Sequence, residues 1–260
     1  TSNTNVINTN SQNHVSWNWV AGTSFTNDAS ATGIGSIDST GSVNTDAGFS
    51  IVSYSGNSTA GATIAHGLGA TPKMMIVRKR NSAENWLVYH ASTGNTGATL
   101  LNGTNAFFQD DMWNSTSPTS SVFTVHGGAG ANASGGTYIA YCFTDVKGYS
   151  KFSSYIGNGN ADGAFVYTGF KSAFVMIKKT SGTGNWCLFD NKRGVNGAMI
   201  QLNPDVNNAD NTSNYIDFLS NGFKCRNTAS DKNASGGSYI YMAFAENPFV
   251  TSTGVPATAR

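Results

Sequence analysis

Charge is what this chain has least of: Asp, Glu, Lys and Arg make up 11% of its 260 residues, and the formal net charge is +1. A surface so close to neutral lacks the concentrated positive field that phosphate backbones attract, so nucleic acid is not an expected partner. The basic triplet Arg78-Lys79-Arg80 stands alone and reads as the solvated end of a strand. Long apolar runs are missing too. None approaches the roughly 18 to 20 residues of a membrane-crossing helix, and the run from Val175 to Lys179 is short, so a soluble chain without membrane insertion is expected. Residues 1–10 carry neither the cationic and apolar regions of a signal peptide nor an initiator Met, as expected of a fragment or processed product. Cysteine is limited to Cys142, Cys187 and Cys225, with no CxxC and no Cys/His ligand spacing. Neither a disulfide nor a metal or other cofactor is expected. Helical periodicity is nearly absent.

What the chain does have is an internal duplication. Residues 54–143 return about 101 positions later as residues 155–244. Tyr54-Ser55-Gly56-Asn57 comes back as Tyr155-Ile156-Gly157-Asn158, Met75-Ile76 as Met176-Ile177, and Asn85-Trp86 as Asn185-Trp186. Asn132-Ala133-Ser134-Gly135-Gly136-Thr137-Tyr138 comes back as Asn233-Ala234-Ser235-Gly236-Gly237-Ser238-Tyr239. The period divides the chain into an extended arm at 1–46, two repeats at 47–148 and 149–249, and a tail at 250–260.

Short alternating or wholly apolar runs bounded by Gly, Asn and Ser give the rhythm of antiparallel strands. In the first copy strands are predicted near 49–53, 73–78, 86–90, 122–125 and 138–143; in the second, near 164–167, 174–178, 186–189, 222–226 and 239–244. The fold class is therefore all-β: two tandem antiparallel β-sandwich modules, jelly-roll-like, preceded by the arm. The run Tyr138-Ile139-Ala140-Tyr141-Cys142-Phe143, apolar on both faces, is the predicted centre of a core. The Ser-Gly-Gly before it supplies the backbone freedom of a tight turn. In the polar arm, Val15, Trp17 and Trp19 alternate, so its order must come from packing on a module or a neighbouring subunit.

Duplication also tests each candidate for chemistry. Cys142, Cys187 and Cys225 align with Ala243, Leu87 and Val125, so the thiols read as small core side chains. His66, His90 and His126 have no imidazole partner in the other copy, and no nucleophile elbow accompanies them. A catalytic set would stand out as clustered polar groups kept by one copy and lacked by the other; none is visible, and no enzyme activity is expected. Asp110 and Asp111 beside Trp113 could hold a cation or stack on a sugar, but adjacent carboxylates do not face each other across a bond as glycosidase chemistry requires. Trp86 and Trp186 read as core. The loop aromatics Phe107, Phe108, Trp113 and Tyr215 have no such duty. With Asp110 and Asp111, Phe107, Trp113 and Tyr215 make up the candidate glycan-binding set, since aromatic faces beside amides and hydroxyls suit a sugar.

The order of motifs resembles a module of tail-fibre and minor structural proteins of tailed phages, the marine ones especially. The resemblance rests on Ala47-Gly48-Phe49-Ser50-Ile51-Val52, His66-Gly67-Leu68-Gly69, Pro72, Asn85-Trp86 and Tyr89-His90 in the first copy. In the second it rests on Tyr149-Ser150-Lys151-Phe152, Phe165-Val166-Tyr167-Thr168-Gly169-Phe170, Ile216-Asp217-Phe218-Leu219-Ser220-Asn221-Gly222 and Ala243-Phe244-Ala245-Glu246-Asn247-Pro248-Phe249. It spans about residues 47–249. What it implies is a virion tail appendage, extracellular, homotrimeric, joined to other tail proteins and touching a host-surface glycan or receptor. It supplies no catalytic residue. A bacterial cell-surface carbohydrate-binding or adhesive module and a polysaccharide depolymerase tip are the alternative readings.

Overall fold

The computed structural model describes residues 14–194, 199–213 and 215–247. In the first half the strands are β1 (Thr23–Asn27), β2 (Ser39–Asn44), β3 (Phe49–Ser55), β4 (Ala62–Ala65), β5 (Met74–Lys79), β6 (Leu87–His90), β7 (Gly94–Leu100), β8 (Phe108–Gln109), β9 (Val122–Val125) and β10 (Thr137–Phe143), with the short helix α1 (Ala29–Thr32) between β1 and β2. The second half contains β11 (Ser150–Ile156), β12 (Phe165–Tyr167), β13 (Ser172–Lys179), β14 (Trp186–Asp190), β15 (Gln201–Leu202), β16 (Ile216–Leu219), β17 (Gly222–Cys225), the helical turn α2 (Ser230–Asn233) and β18 (Ser238–Ala245). The chain is all-β, of sandwich type, and its strand ladders are antiparallel.

Strand order makes the duplication visible. The large first sheet runs β1-β2-β3-β10-β5-β6-β7-β8, and the second runs β11-β18-β13-β14-β15. Removing β1, β2 and β8 from the first leaves the same order as the second. Each is faced by a smaller sheet, β4-β9 in the first copy and β12-β17-β16 in the second. The one error in the sequence alignment lies in β5. Because Val77 faces Ala140 and Ile177 faces Tyr241, Ile76 corresponds to Met176, and Met75 to Val175. Pairing Met75-Ile76 with Met176-Ile177 turns every side chain of the strand to the wrong face, as a one-residue slip must. The loop before the strand absorbs the difference.

Three cores result. Val52, Ile64, Met75, Trp113, Phe123, Tyr138 and Cys142 fill the first sandwich. Val175, Ile177, Cys187, Phe189, Phe223, Tyr239 and Tyr241 fill the second. The third lies between the two large sheets, where Phe49, Met74, Ile76, Val88 and Phe143 meet Phe152, Phe174, Met176, Trp186, Leu188, Met242 and Phe244. The repeats therefore stand back to back, four sheets deep. That is why the strand 138–143 is apolar on both faces: Tyr138, Ala140 and Cys142 point into one core while Tyr141 and Phe143 point into another. All three cysteines are free and buried.

The expected arm is corrected in part. From Thr23 it forms the β1–β2 hairpin, with β2 paired along β3 from Ser39↔Tyr54 to Asn44↔Phe49. Ser, Thr and Gly dominate this hairpin, so its stability rests on the ladder rather than on an apolar stripe, and hydrophobic alternation could not announce it. Ahead of it, Trp17 and Trp19 pack into the middle core. The Trp19 ring lies edge-on to Phe143, Phe174 and Phe244 at 6.3, 5.7 and 5.3 Å, so order comes from packing as the alternation suggested. The predicted tail at 250–260, with Phe249, lies outside the described residues.

Candidate functional site

Two conserved-geometry turns, one per copy, hold the ends of the sandwiches rigid. The Tyr54 hydroxyl donates to Ala131 O, and that of Tyr155 donates to Lys232 O, both at 2.7 Å. The Tyr138 and Tyr239 hydroxyls accept from Ala133 N and Ala234 N and donate to Ala129 O and Ser230 O. In each copy the two tyrosine rings stack, Tyr54 on Tyr138 at 5.1 Å and Tyr155 on Tyr239 at 5.0 Å. Fully buried Asn132 and Asn233 accept from Asn57 N and Asn158 N and donate to carbonyls of the facing loops. Gly135 and Gly236 sit at φ 71° and 68°, which accounts for the repeated Ser-Gly-Gly.

Against the first of these ends the β1–β2 hairpin builds a groove of about 760 Å³. Tyr54 and Tyr138 form part of its wall; Thr40, Ser53, Ser55 and Thr137 bring hydroxyls, Asn27 and Asn57 amides, Asp28 and Asp38 carboxylates and Arg80 a guanidinium. Its loop wall is pinned by short bonds. Asp28 Oδ1 accepts from Ser30 N, Ala31 N and Ser30 Oγ, and Asp38 Oδ1 accepts from Ala29 N. The Ser30 hydroxyl, then the Ala31 amide, holds the Asp28 carboxyl below the usual carboxylate range. Asn27 Nδ2 donates to Ile34 O, and Ser36 Oγ accepts from Thr63 N. The hydroxyls of Thr40, Ser55 and Thr137, the Asn57 amide, the two carboxylates and the Arg80 guanidinium form a lining that can hydrogen-bond a sugar or a polar surface chain, while Tyr54, Tyr138 and Asn27 are buried behind it.

The five residues singled out from the sequence do not form a site. Trp113 is 0% exposed, a core residue whose Nε1 donates to Gly97 O, so its candidacy as a ligand platform is overturned. Its loop offered no apolar alternation to mark it as core, yet the ring closes the first sandwich against Tyr89. Phe107 is half-buried, its ring over Gly97 and its N–H donating to Thr180 O of the other copy. Asp110 and Asp111 are exposed, and Asp111 Oδ1 accepts from Ser115 Oγ. Tyr215 belongs to the second sandwich, where its hydroxyl accepts from Asn211 Nδ2 and its ring covers Lys232 Nζ at 3.9 Å. Phe107, Asp110 and Asp111 remain around the β7–β9 connection, whereas Tyr215 has its partners elsewhere.

Sequence reasoning missed other groups. The groove residues on β1 and β2 were hidden in the supposed arm, where no period-2 pattern marks a strand. Exposed aromatics occur on β12, where Phe165 and Tyr167 are 48% and 65% exposed on either side of buried Val166. Period-2 alternation alone could have placed both outward. His66 and His90 are structural: His66 Nδ1 accepts from Leu68 N with Nε2 against Thr119 O, and His90 Nδ1 accepts from Ser92 N with Nε2 against Tyr241 O of the second copy. Burial lowers both imidazoles, His90 to about 4. Among the described residues no group of three or more His, Cys, Asp or Glu could hold a metal. Among the described residues no helix is long and apolar enough to cross a membrane.

A family model described as a domain of unknown function (DUF7483) matches residues 1–248. No curated protein and no solved structure matches the chain.

Proposed function

The chain belongs to the DUF7483 family, and from that premise and the groove we propose that it is a virion structural protein of a tailed phage. In this reading it is a distal tail-fibre module that attaches to a host-surface glycan or receptor. The observation that carries the reading is the polar groove on a rigid duplicated scaffold: its lining offers hydrogen-bond donors and acceptors to a hydroxyl-rich ligand, and the double-sandwich frame keeps them in place. Low charge, the stacked sheets and the motif order resembling tail-fibre modules support the same role. The assembly is a homotrimer, joined to other tail proteins and outside the cell, in which three weak sites acting together raise avidity.

Binding of the full chain to host cells and to a glycan array tests it. Asp38→Ala combined with Arg80→Ala is expected to lower apparent affinity at least tenfold. Equal binding by this variant would refute the groove. Release of oligosaccharide from host capsule would point instead to a depolymerase tip. Light scattering of the full chain is expected to give a trimer; a stable monomer contradicts the assembly.

A further inference from the structure

The second sandwich closes one end with polar side chains where the first uses apolar ones. Val77 pairs with Leu87 and Ile177 with Cys187, so Cys187 stands in the place of Leu87. The Tyr54 and Tyr155 hydroxyl bonds put Lys232 where Ala131 stands. Val88 faces Thr99 and Leu188 faces Leu202, which sets Gln201 in the position of Ala98. The fold can therefore close this end without a buried amine. Such a set, present in one copy and lacking in the other, is the signature the aligned sequences failed to show, because its members come from β14, β15 and α2.

Lys232 is 1% exposed and Gln201 5%. Lys232 Nζ donates to Gln201 Oε1 at 2.7 Å and to Asp231 Oδ1 at 2.6 Å. Cys187 Sγ lies 3.8 Å from the amine, and the Tyr215 ring screens it at 3.9 Å. Gln201 Nε2 donates to Asn203 Oδ1 at 3.2 Å, which fixes the carboxamide plane. A primary amine is thus held against a carboxamide, beside a carboxylate and away from water. Holding reactants in contact replaces a bimolecular encounter with an intramolecular one, and excluding water removes hydrolysis as the competing reaction.

The geometry points to a covalent cross-link: Lys232 and Gln201 join through an isopeptide bond formed by the protein itself. Asp231 takes a proton from the Lys232 ammonium, and the freed Nζ lone pair attacks Gln201 Cδ, whose carbonyl oxygen takes up the displaced electron pair. As the carbonyl re-forms, the Cδ–Nε2 bond breaks. Nε2 receives the proton held by Asp231 and leaves as ammonia, which carries off the second amine proton as ammonium. Lys232 and Gln201 end as a secondary amide, Asp231 ends as it began, and no oxidant or reductant is needed. The link closes a loop spanning 31 positions that contains β16 and β17, so it ties α2 to β15 and constrains the unfolded chain as a disulfide does. It does not depend on what the groove binds.

Intact mass spectrometry of the full chain tests the link. A mass lower by one ammonia, a tryptic digest with no cleavage after Lys232, and a branched peptide joining Gln201 to Lys232 are expected. Lys232→Arg and Asp231→Ala should each restore the full mass. The unmodified mass in the native chain, with cleavage after Lys232, overturns the proposal, as does an ammonia loss that maps to an Asn. Because the first measurement needs no variant, a variant that fails to fold leaves the test intact.

Discussion

At the residue scale, Asn132 and Asn233 show why a motif repeats. Each is fully buried with its amide bonded to the facing loop, Asn132 to Asn57 and Thr59, Asn233 to Asn158, Asn160 and Asn227. Alanine at either position leaves several part-buried backbone groups without their side-chain partner. A loss of about 2–4 kcal/mol per substitution is expected in urea unfolding, and a change under about 0.5 kcal/mol would contradict the role. His90 sets a pH dependence. Burial lowers its imidazole to about 4, opposed by Tyr241 O and Asp145. An unfolded histidine takes its proton near 6.5, so between those values the unfolded chain binds more protons and stability falls as pH falls. The full effect is up to about 3 kcal/mol, complete near pH 4, and buried His66 adds to it with the same sign. His90→Gln keeps a donor toward Tyr241 O and should flatten the slope between pH 6.5 and 4 in denaturant titrations; an unchanged slope would remove His90 as its source.

At the element scale, local pattern located most strands that carry an apolar face but passed over β4, β11 and β16, whose Ile64, Phe152 and Ile216 are core residues. The predictions near 122–125 and 138–143 coincide with β9 and β10 to within a residue. The other missed strands, β1, β2, β7, β8 and β15, are rich in Gly, Ser, Thr and Asn or only two residues long, and exist because a neighbouring ladder offers unpaired groups. Most of the groove was illegible for the same reason: its outer wall is an edge hairpin that tertiary pairing creates. The second copy's tight approach at Gly157, where a Cβ would meet Ala234 O at 2.4 Å, repeats that of Gly56 on Ala133 O at 2.3 Å. Gly157→Ala should therefore separate the loop from its turn and destabilise the second sandwich by about 1–3 kcal/mol, measured by denaturant midpoint. No shift in midpoint would mean that the turn yields freely.

At the scale of the whole molecule, the middle core binds the repeats into one unit. His90 Nε2 on Tyr241 O, Trp186 Nε1 on Leu100 O and Lys178 Nζ on Gly103 O cross the same boundary. Burial lowers the Lys178 ammonium to about 8, so this crossing weakens in alkali. A single cooperative thermal transition is expected, with calorimetric and van't Hoff enthalpies equal, and two resolved transitions would show independent modules. The sequence by itself determined the class of fold and its duplication, because strand alternation and turn residues are local properties repeated along the chain. Only the tertiary structure decided that the copies stand back to back, that Trp113 is core, that an edge hairpin raises a groove, and that Lys232 meets Gln201. Those depend on which distant faces exclude water together, and no short window of sequence contains that.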